Sequence, residues 1–168
     1  DEGNYLYTAW DTGSVTNILW MFHECLVFNQ DIGNWDTSNI TNMGGMFKKA
    51  IVFNQDISTK DIYNDEGNYL YTAWDTGSVT NMEQMFNGYS ENYTSAFAGD
   101  ISNWDVSSVN TINYMFNYYP HGAQQDLSVW CVPEVVNGHG DFQHNPLSGS
   151  YWPDSFLPSW GTYHGDNC

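Results

Sequence analysis

The 168-residue chain carries twenty Asp or Glu against three Lys and no Arg, a net charge of −17. Such a surface repels nucleic acid and anionic lipid and favours cations or basic partners. Aromatic residues make up 17% of the chain, which argues for a packed fold over the disorder that acidity alone suggests. No apolar run approaches the roughly 18 residues of a membrane span, so direct membrane insertion is not expected.

The chain opens on "DEGNYLYTAWDTGSVTN", Asp1 to Asn17, and the same phrase returns unchanged from Asp65 to Asn81. Aligning the tryptophans exposes the unit behind it. "WDTGSVTNILWMF" from Trp10, "WDTSNITNMGGMF" from Trp35, "WDTGSVTNMEQMF" from Trp74 and "WDVSSVNTINYMF" from Trp104 are versions of one motif. The links "VFNQDIGNW", "VFNQDISTK", "AFAGDISNW" and "AQQDLSVW" lead onward from them. The base period is 25 residues, from Trp10 to Trp35, and the later intervals are lengthened by insertions at 60–73 and about 87–97. A constant motif with variable loops is how a solenoid behaves. "DEGNYLYTA" belongs to the inserted loop, so the chain opens in mid-repeat, which reads as a processed or fragmentary start. The expected division is a solenoid of four to five repeats over 1–132 and a C-terminal cap or tail over 133–168.

Apolar columns recur through the repeats. Trp10, Trp35, Trp74, Trp104 and Trp130 form one; Val15, Ile40, Val79 and Val109 form another. Ile18, Met43, Met82 and Ile112 follow, then Met21, Met46, Met85 and Met115, each succeeded by Phe. The V-x-x-M-x-x-M-F spacing predicts a short helical or 3₁₀ segment facing inward. The links, with Ile32, Ile57, Ile101 and Leu127 between polar neighbours, predict one short strand per repeat, stacked into a parallel sheet. The fold class expected is a leucine-rich-repeat-like α/β solenoid. Its Trp and Met stripes are core, not a cofactor site.

These residues resemble a known family. Repeats of the form "FNQDIxxWDTSxVTNMxxMF" are similar to the BspA-type leucine-rich repeats, also described as mycoplasma surface-lipoprotein repeats. The resemblance covers Trp10 to about Val132, and "DLSVWCV", "NPL", "SWGT" and the final Cys resemble the terminal cap of those proteins. The Tyr-rich insertions and the enlarged loop after Phe86 depart from the pattern. The resemblance implies a solenoid, secreted or on the cell surface, with adhesion or binding and no established catalysis.

Chemistry has few places to sit. Asp31, Asp56, Asp100 and Asp126 each precede the inward Ile or Leu and are expected to point outward. Stacked about 4.8 Å apart, neighbouring carboxylates repel by about 1 kcal/mol in water and more at a lower dielectric. Calcium would relieve that; so would a hydrogen-bonded polar ladder, with Gln30, Gln55 and Gln125 as amide donors, and the ladder is the preferred reading. Asp11, Asp36, Asp75 and Asp105 follow each Trp and are expected to cap turns. His139, Asp141 and His144 have a metal-like spacing without a third ligand. No Ser-His-Asp set, phosphate-binding Gly loop or zinc-type Cys pair stands out, and no enzyme activity is expected.

The loops are more informative. Tyr5, Tyr7, Tyr63, Tyr69, Tyr71, Tyr89 and Tyr93 lie in insertions, where Tyr either anchors a protein or glycan contact or folds back over the repeat edge. Asn39 in "NIT" and Asn92 in "NYT" are N-glycosylation sequons, Asn92 being the better placed. Cys131 opens the last repeat and Cys168 ends the chain. A bridge between them would stabilise by about 4 kcal/mol on a chain-entropy model; three reduced thiols is the other reading. Cys25 is then a small core residue.

Two functions follow. The first is a non-catalytic extracellular or cell-surface module for protein or glycan recognition; the second is a structural subunit that self-assembles into a fibre, sheath or larger complex. Ice or mineral binding through Thr16, Thr41 and Thr80 is weaker, because the column ends in Asn110.

Overall fold

A computed structural model describes residues 10–88, 90, 94–119, 125–133, 142 and 154–160. Equivalent residues of successive repeats lie side by side and are joined by isolated parallel bridges, Asn17 to Asn42, Asn42 to Asn81 and Asn81 to Thr111. The bridges therefore run through the "VTN" segment. No strand forms at the Ile32, Ile57, Ile101 and Leu127 links among the described residues. The reason lies in where their carbonyls go. Ile32 O accepts from the Trp35 N–H at 3.2 Å and from Trp74 Nε1 at 2.9 Å, which leaves nothing for a backbone ladder. All four side chains are nonetheless buried, as the alternation predicts.

The M-x-x-M-F segments are turns, where a helix or 3₁₀ stretch was expected. Each holds a residue in the left-handed region at one fixed position: Trp20 (φ 59°), Gly45 (58°), Gln84 (57°) and Tyr114 (58°). A left-handed residue ends any right-handed helix, at a cost of roughly 1–2 kcal/mol when it is not Gly. What it achieves is directional. Met21 closes a turn onto Ile18 O at 3.2 Å, while the N–H groups of Ile18, Trp20, Phe22 and Glu24 point away and bond to Asn42, Gly44, Met46 and Lys48 O of the next repeat at 2.9–3.0 Å. The same row links Met43, Gly45, Phe47 and Lys49 to the third repeat, and Met82, Gln84, Phe86 and Gly88 to the fourth. At about 0.5–1.5 kcal/mol net for each hydrogen bond, a row of four offsets the left-handed strain. An apolar residue every third position suits this turn pattern as well as a helix, so spacing alone does not separate them.

The core is built from aromatic columns. Trp10, Trp35, Trp74, Trp104 and Trp130 stack with ring centroids 5.5, 6.5, 5.8 and 6.4 Å apart. Phe22, Phe47, Phe86 and Phe116 form a second column at 5.7–5.8 Å, and Phe28, Phe53 and Phe97 a third at 5.8–6.0 Å. Offset stacking of this kind contributes about 0.5–1.5 kcal/mol per pair beyond area burial. The Met column (Met46, Met85, Met115) fills the space between and is fully buried.

The insertion at 60–73 is a β-hairpin. Strand β1 (Lys60–Tyr63) pairs antiparallel with β2 (Tyr69–Ala73), Lys60 opposite Ala73, with a bulge at Ile62/Tyr63. Asn64 Oδ1 accepts the N–H groups of Glu66 and Asn68, and Gly67 takes φ +82°, which closes the turn. Ala73 bridges to Asp36, and the Trp74 N–H donates to Trp35 O, so the hairpin returns the chain to the register it left. At the other end, β3 (Cys131–Val132) pairs parallel with β4 (Ser159–Trp160), after a 3₁₀ turn at Asp154–Phe156. Phe142 is buried edge-on against Phe116, covering the fourth repeat.

Candidate functional site

The acidic column is a set of turn caps. Asp31 accepts the Gly33 N–H at 2.9 Å; Asp56, Asp100 and Asp126 accept the N–H groups of Ser58, Ser102 and Ser128 at 2.9–3.0 Å. At Asp56, Asp100 and Asp126 such bonds stabilise the ionised form. For Asp56 and Asp126 the Ser hydroxyl is the larger cause and the Ser N–H the next; for Asp100 the order is reversed. All three carboxyls are held below the usual carboxylate range. Lys60 Nζ lies 3.9 Å from Asp56 and adds to this, while Asp56 itself pushes Asp100 the other way. Two of the three expected Gln roles are visible and they differ: Gln55 Nε2 donates to Asn29, and Gln125 Oε1 accepts the Ile101 N–H. Neither donates to the Asp column. Among the described residues no group of three or more His, Cys, Asp or Glu is placed to hold a metal ion.

Asp11, Asp36, Asp75 and Asp105 cap turns as expected, each accepting the N–H two residues on at 2.9–3.3 Å. A third polar column, Asn17, Asn42 and Asn81, does the same for Leu19, Gly44 and Glu83, and its sequence signal is the "TN" shared by three motifs.

The hairpin separates its tyrosines into two kinds. Tyr71 folds back: its hydroxyl donates to Asn34 O at 2.7 Å, and burial, then Asp36, raises its pKa. Tyr63 and Tyr69 remain 55% and 56% exposed, in an edge-to-face pair 6.0 Å apart, beside the exposed Leu70. Beneath them a polar chain runs from Tyr69 Oη to Thr72 Oγ1, and from there to Asp61, which also accepts from Tyr63 at 3.4 Å. The two rings are thus held on both strands of one hairpin. Tyr5, Tyr7, Tyr89, Tyr93, Asn92, His139, Asp141 and His144 lie outside the described residues. Asn39 is exposed, but its Nδ2, the atom a glycan would take, donates to Gly13 O at 2.8 Å.

Two of the three lysines, Lys48 and Lys49, meet the first repeat at one edge. Lys49 bonds Glu24 at 2.6 Å, and Lys48 sits 5.0 Å over the Trp20 ring while also donating to Gln84. Burial lowers the Lys48 pKa, and lowers His23 beside it. The "KK" doublet was the available signal. Cys131 is disulfide-bonded and Cys25 is a free, partly buried thiol packed against the core; Cys168, the expected partner, lies outside the described residues.

A family model described as "Mycoplasma protein of unknown function, DUF285" matches residues 4–70 and again 63–146. The chain belongs to the DUF285 family. The two matches divide the DUF285 chain near the hairpin, where the duplicated phrase resumes. No curated protein and no solved structure matches it.

Proposed function

We propose that this DUF285 chain is a leucine-rich-repeat-like solenoid of the BspA type, acting outside the cell or on its surface as a non-catalytic module that recognises a protein or a glycan. The observation that carries this reading is the Tyr63–Tyr69 pair. Two rings stand more than half exposed at the end of a short hairpin. The hairpin is anchored in a frame whose Trp35 and Trp74 planes differ by only 1°. Exposed tyrosines on a rigid support bind at low conformational cost, because little is left to order on contact. The acidic surface favours partners with basic or neutral character. The disulfide at Cys131 fits an oxidising compartment.

The experiment is binding of the purified full chain to a glycan array and to a panel of extracellular proteins, alongside a Tyr63→Ala/Tyr69→Ala variant. Both side chains are exposed, so the variant is expected to melt within a degree or two of the parent while losing most of its binding. Full binding by the variant would remove the hairpin from the role.

A further inference from the structure

An open groove of about 430 Å³ runs along the turns of the stack, and its described lining is Lys48, Gln84, Asn87, Tyr114, Asn117 and Tyr118. That volume falls within the range of small-ligand sites, roughly 300–1,000 Å³. The lining comes mainly from two rows. Lys48, Asn87 and Asn117 hold one position of the motif in the second, third and fourth repeats, and Gln84 and Tyr114 hold another in the third and fourth. Backbone bonds fix the rows: the Lys49 N–H donates to Asn87 O and the Gly88 N–H to Asn117 O, both at 2.9 Å. Three of the six residues keep side chains where glycine would be less strained. Gln84, Tyr114 and Tyr118 take φ of 57°, 58° and 53°, and at the Gln84 and Tyr114 position the second repeat does carry glycine, Gly45 at 58°. The backbone follows its course with glycine there, so the retained side chains serve something beyond that course.

The polar groups of the groove are only partly used by the protein. Asn117 Oδ1 is buried and accepts no hydrogen bond among the described residues. A buried acceptor left unsatisfied is costly and rare in native proteins, so this one calls for a donor. Gln84 is held in place, its Oε1 accepting from Lys48 and its Nε2 donating to Glu83 at 3.3 Å. Lys48, the one charged group of the described lining, is engaged by Gln84 and by the Trp20 ring 5.0 Å away. The chain's charge of −17 repels anions from the surroundings. What the groove offers is amides, which both donate and accept, beside partly buried tyrosine rings with an apolar body. The matching ligand is uncharged, with hydroxyls along its edge and an apolar ring face. We propose that this groove binds a neutral sugar unit, with Asn117 Oδ1 accepting from a hydroxyl and Tyr114 and Tyr118 lying against the ring face. This rests on the recognition reading above and narrows it to sugars, on a surface that uses neither Tyr63 nor Tyr69.

The test is a titration of the full, isotope-labelled chain with glucose, maltotriose, cellotriose, chitotriose, mannotriose and lactose, and with trigalacturonate as the anionic counterpart. The readout is the side-chain amide NMR signals of Gln84, Asn87 and Asn117, which report contact without any substitution. At least one neutral sugar is expected to shift them at millimolar concentration, equally in the parent and in the Tyr63→Ala/Tyr69→Ala variant. Glucose beside maltotriose tells a free sugar from a glycan chain, and either one binding here supports the assignment. Gln84→Gly/Tyr118→Gly removes two lining side chains at positions where glycine suits the backbone, so the variant is expected to melt with the parent. Its sugar affinity is expected to fall about tenfold or more. Amide signals unmoved by every neutral sugar would overturn the proposal, as would a shift by trigalacturonate alone or full affinity in the glycine variant. Binding lost only in the Tyr63→Ala/Tyr69→Ala variant would overturn it too, while leaving the hairpin reading in place.

Discussion

Trp74 Nε1 donates to the carbonyl oxygen of Ile32 at 2.9 Å, across 42 residues of sequence and one boundary between repeats. Trp104 repeats the bond to Ile57 O at 2.9 Å and Trp130 to Ile101 O at 3.1 Å. The tryptophan thus has two tasks, filling the core and closing the polar group of the repeat before it. Trp74→Phe would keep most of the ring and lose the donor. It is expected to destabilise by about 2 kcal/mol, from a small cavity and a weakened buried acceptor. Trp10→Phe, at the exposed end of the same column, should cost less than about 0.5 kcal/mol. Urea titration of the two variants checks the contrast, and equal losses would refute it.

Gly33 occupies the place held by Ser58, Ser102 and Ser128 in the other links. Restoring the common residue looks conservative, and the Ser58 hydroxyl does help to bind Asp56. At Gly33, however, a Cβ would lie 2.6 Å from the carbonyl oxygen of Asp56, backbone that cannot swing aside. Gly33→Ser is therefore expected to destabilise by about 1–3 kcal/mol, the cost of overpacking a fitted interface. Thermal melts decide it; a stabilised variant would show that the link between these repeats is softer than its geometry.

Three Asp carboxyls are held below their ordinary range by serine partners. A carboxyl whose folded pKa is depressed adds stability above its unfolded pKa, near 3.9, and loses it as pH falls through the folded value. Stability from this column should be flat from neutral pH down to about 5 and fall below about 4. Ser58→Ala is expected to move the Asp56 titration upward and leave that of Asp126 in place. Carboxyl NMR titration reads both.

Calcium gives a sharper test of the same column. Each carboxylate is committed to its own turn, and Lys60 stands beside Asp56. Millimolar calcium, followed by chelator, is expected to leave the light-scattering mass and the melting temperature unchanged. Growth into rods with calcium would make the column a metal ladder and the protein a building material.

Much of this arrangement was legible in the spacing of residues. Trp35 to Trp74 and Met46 to Met85 were aligned across an insertion of fourteen residues, and their side chains do stack or pack as columns. The backbone between them was not legible. A three-residue apolar period suits a helix and a chain of turns equally, and only the left-handed Trp20, Gln84 and Tyr114 separate the two. None of those residue types advertises a positive φ; Gly45 alone does. The insertion is a hairpin and not an irregular loop, and "KDIY" and "YLYTA" flanking "NDEGN" carry its strand and turn signals. Sorting Tyr71 from Tyr63 and Tyr69 needed three-dimensional placement, because only Tyr71 reaches Asn34.

The hairpin leaves and re-enters the frame between Thr59 and Trp74 without tilting the rings on either side, which makes that point a socket. Thr59 Oγ1 bonds Trp74 O at 2.8 Å, so the two rims of the socket are tied to each other and not to what is plugged in. Lengthening a flexible loop across closed ends costs only about 0.6 kcal/mol per doubling. New sequence can therefore be tried at the tip while the stacked interior goes on folding as before, and variation in what the protein touches is separated from the risk of losing the protein.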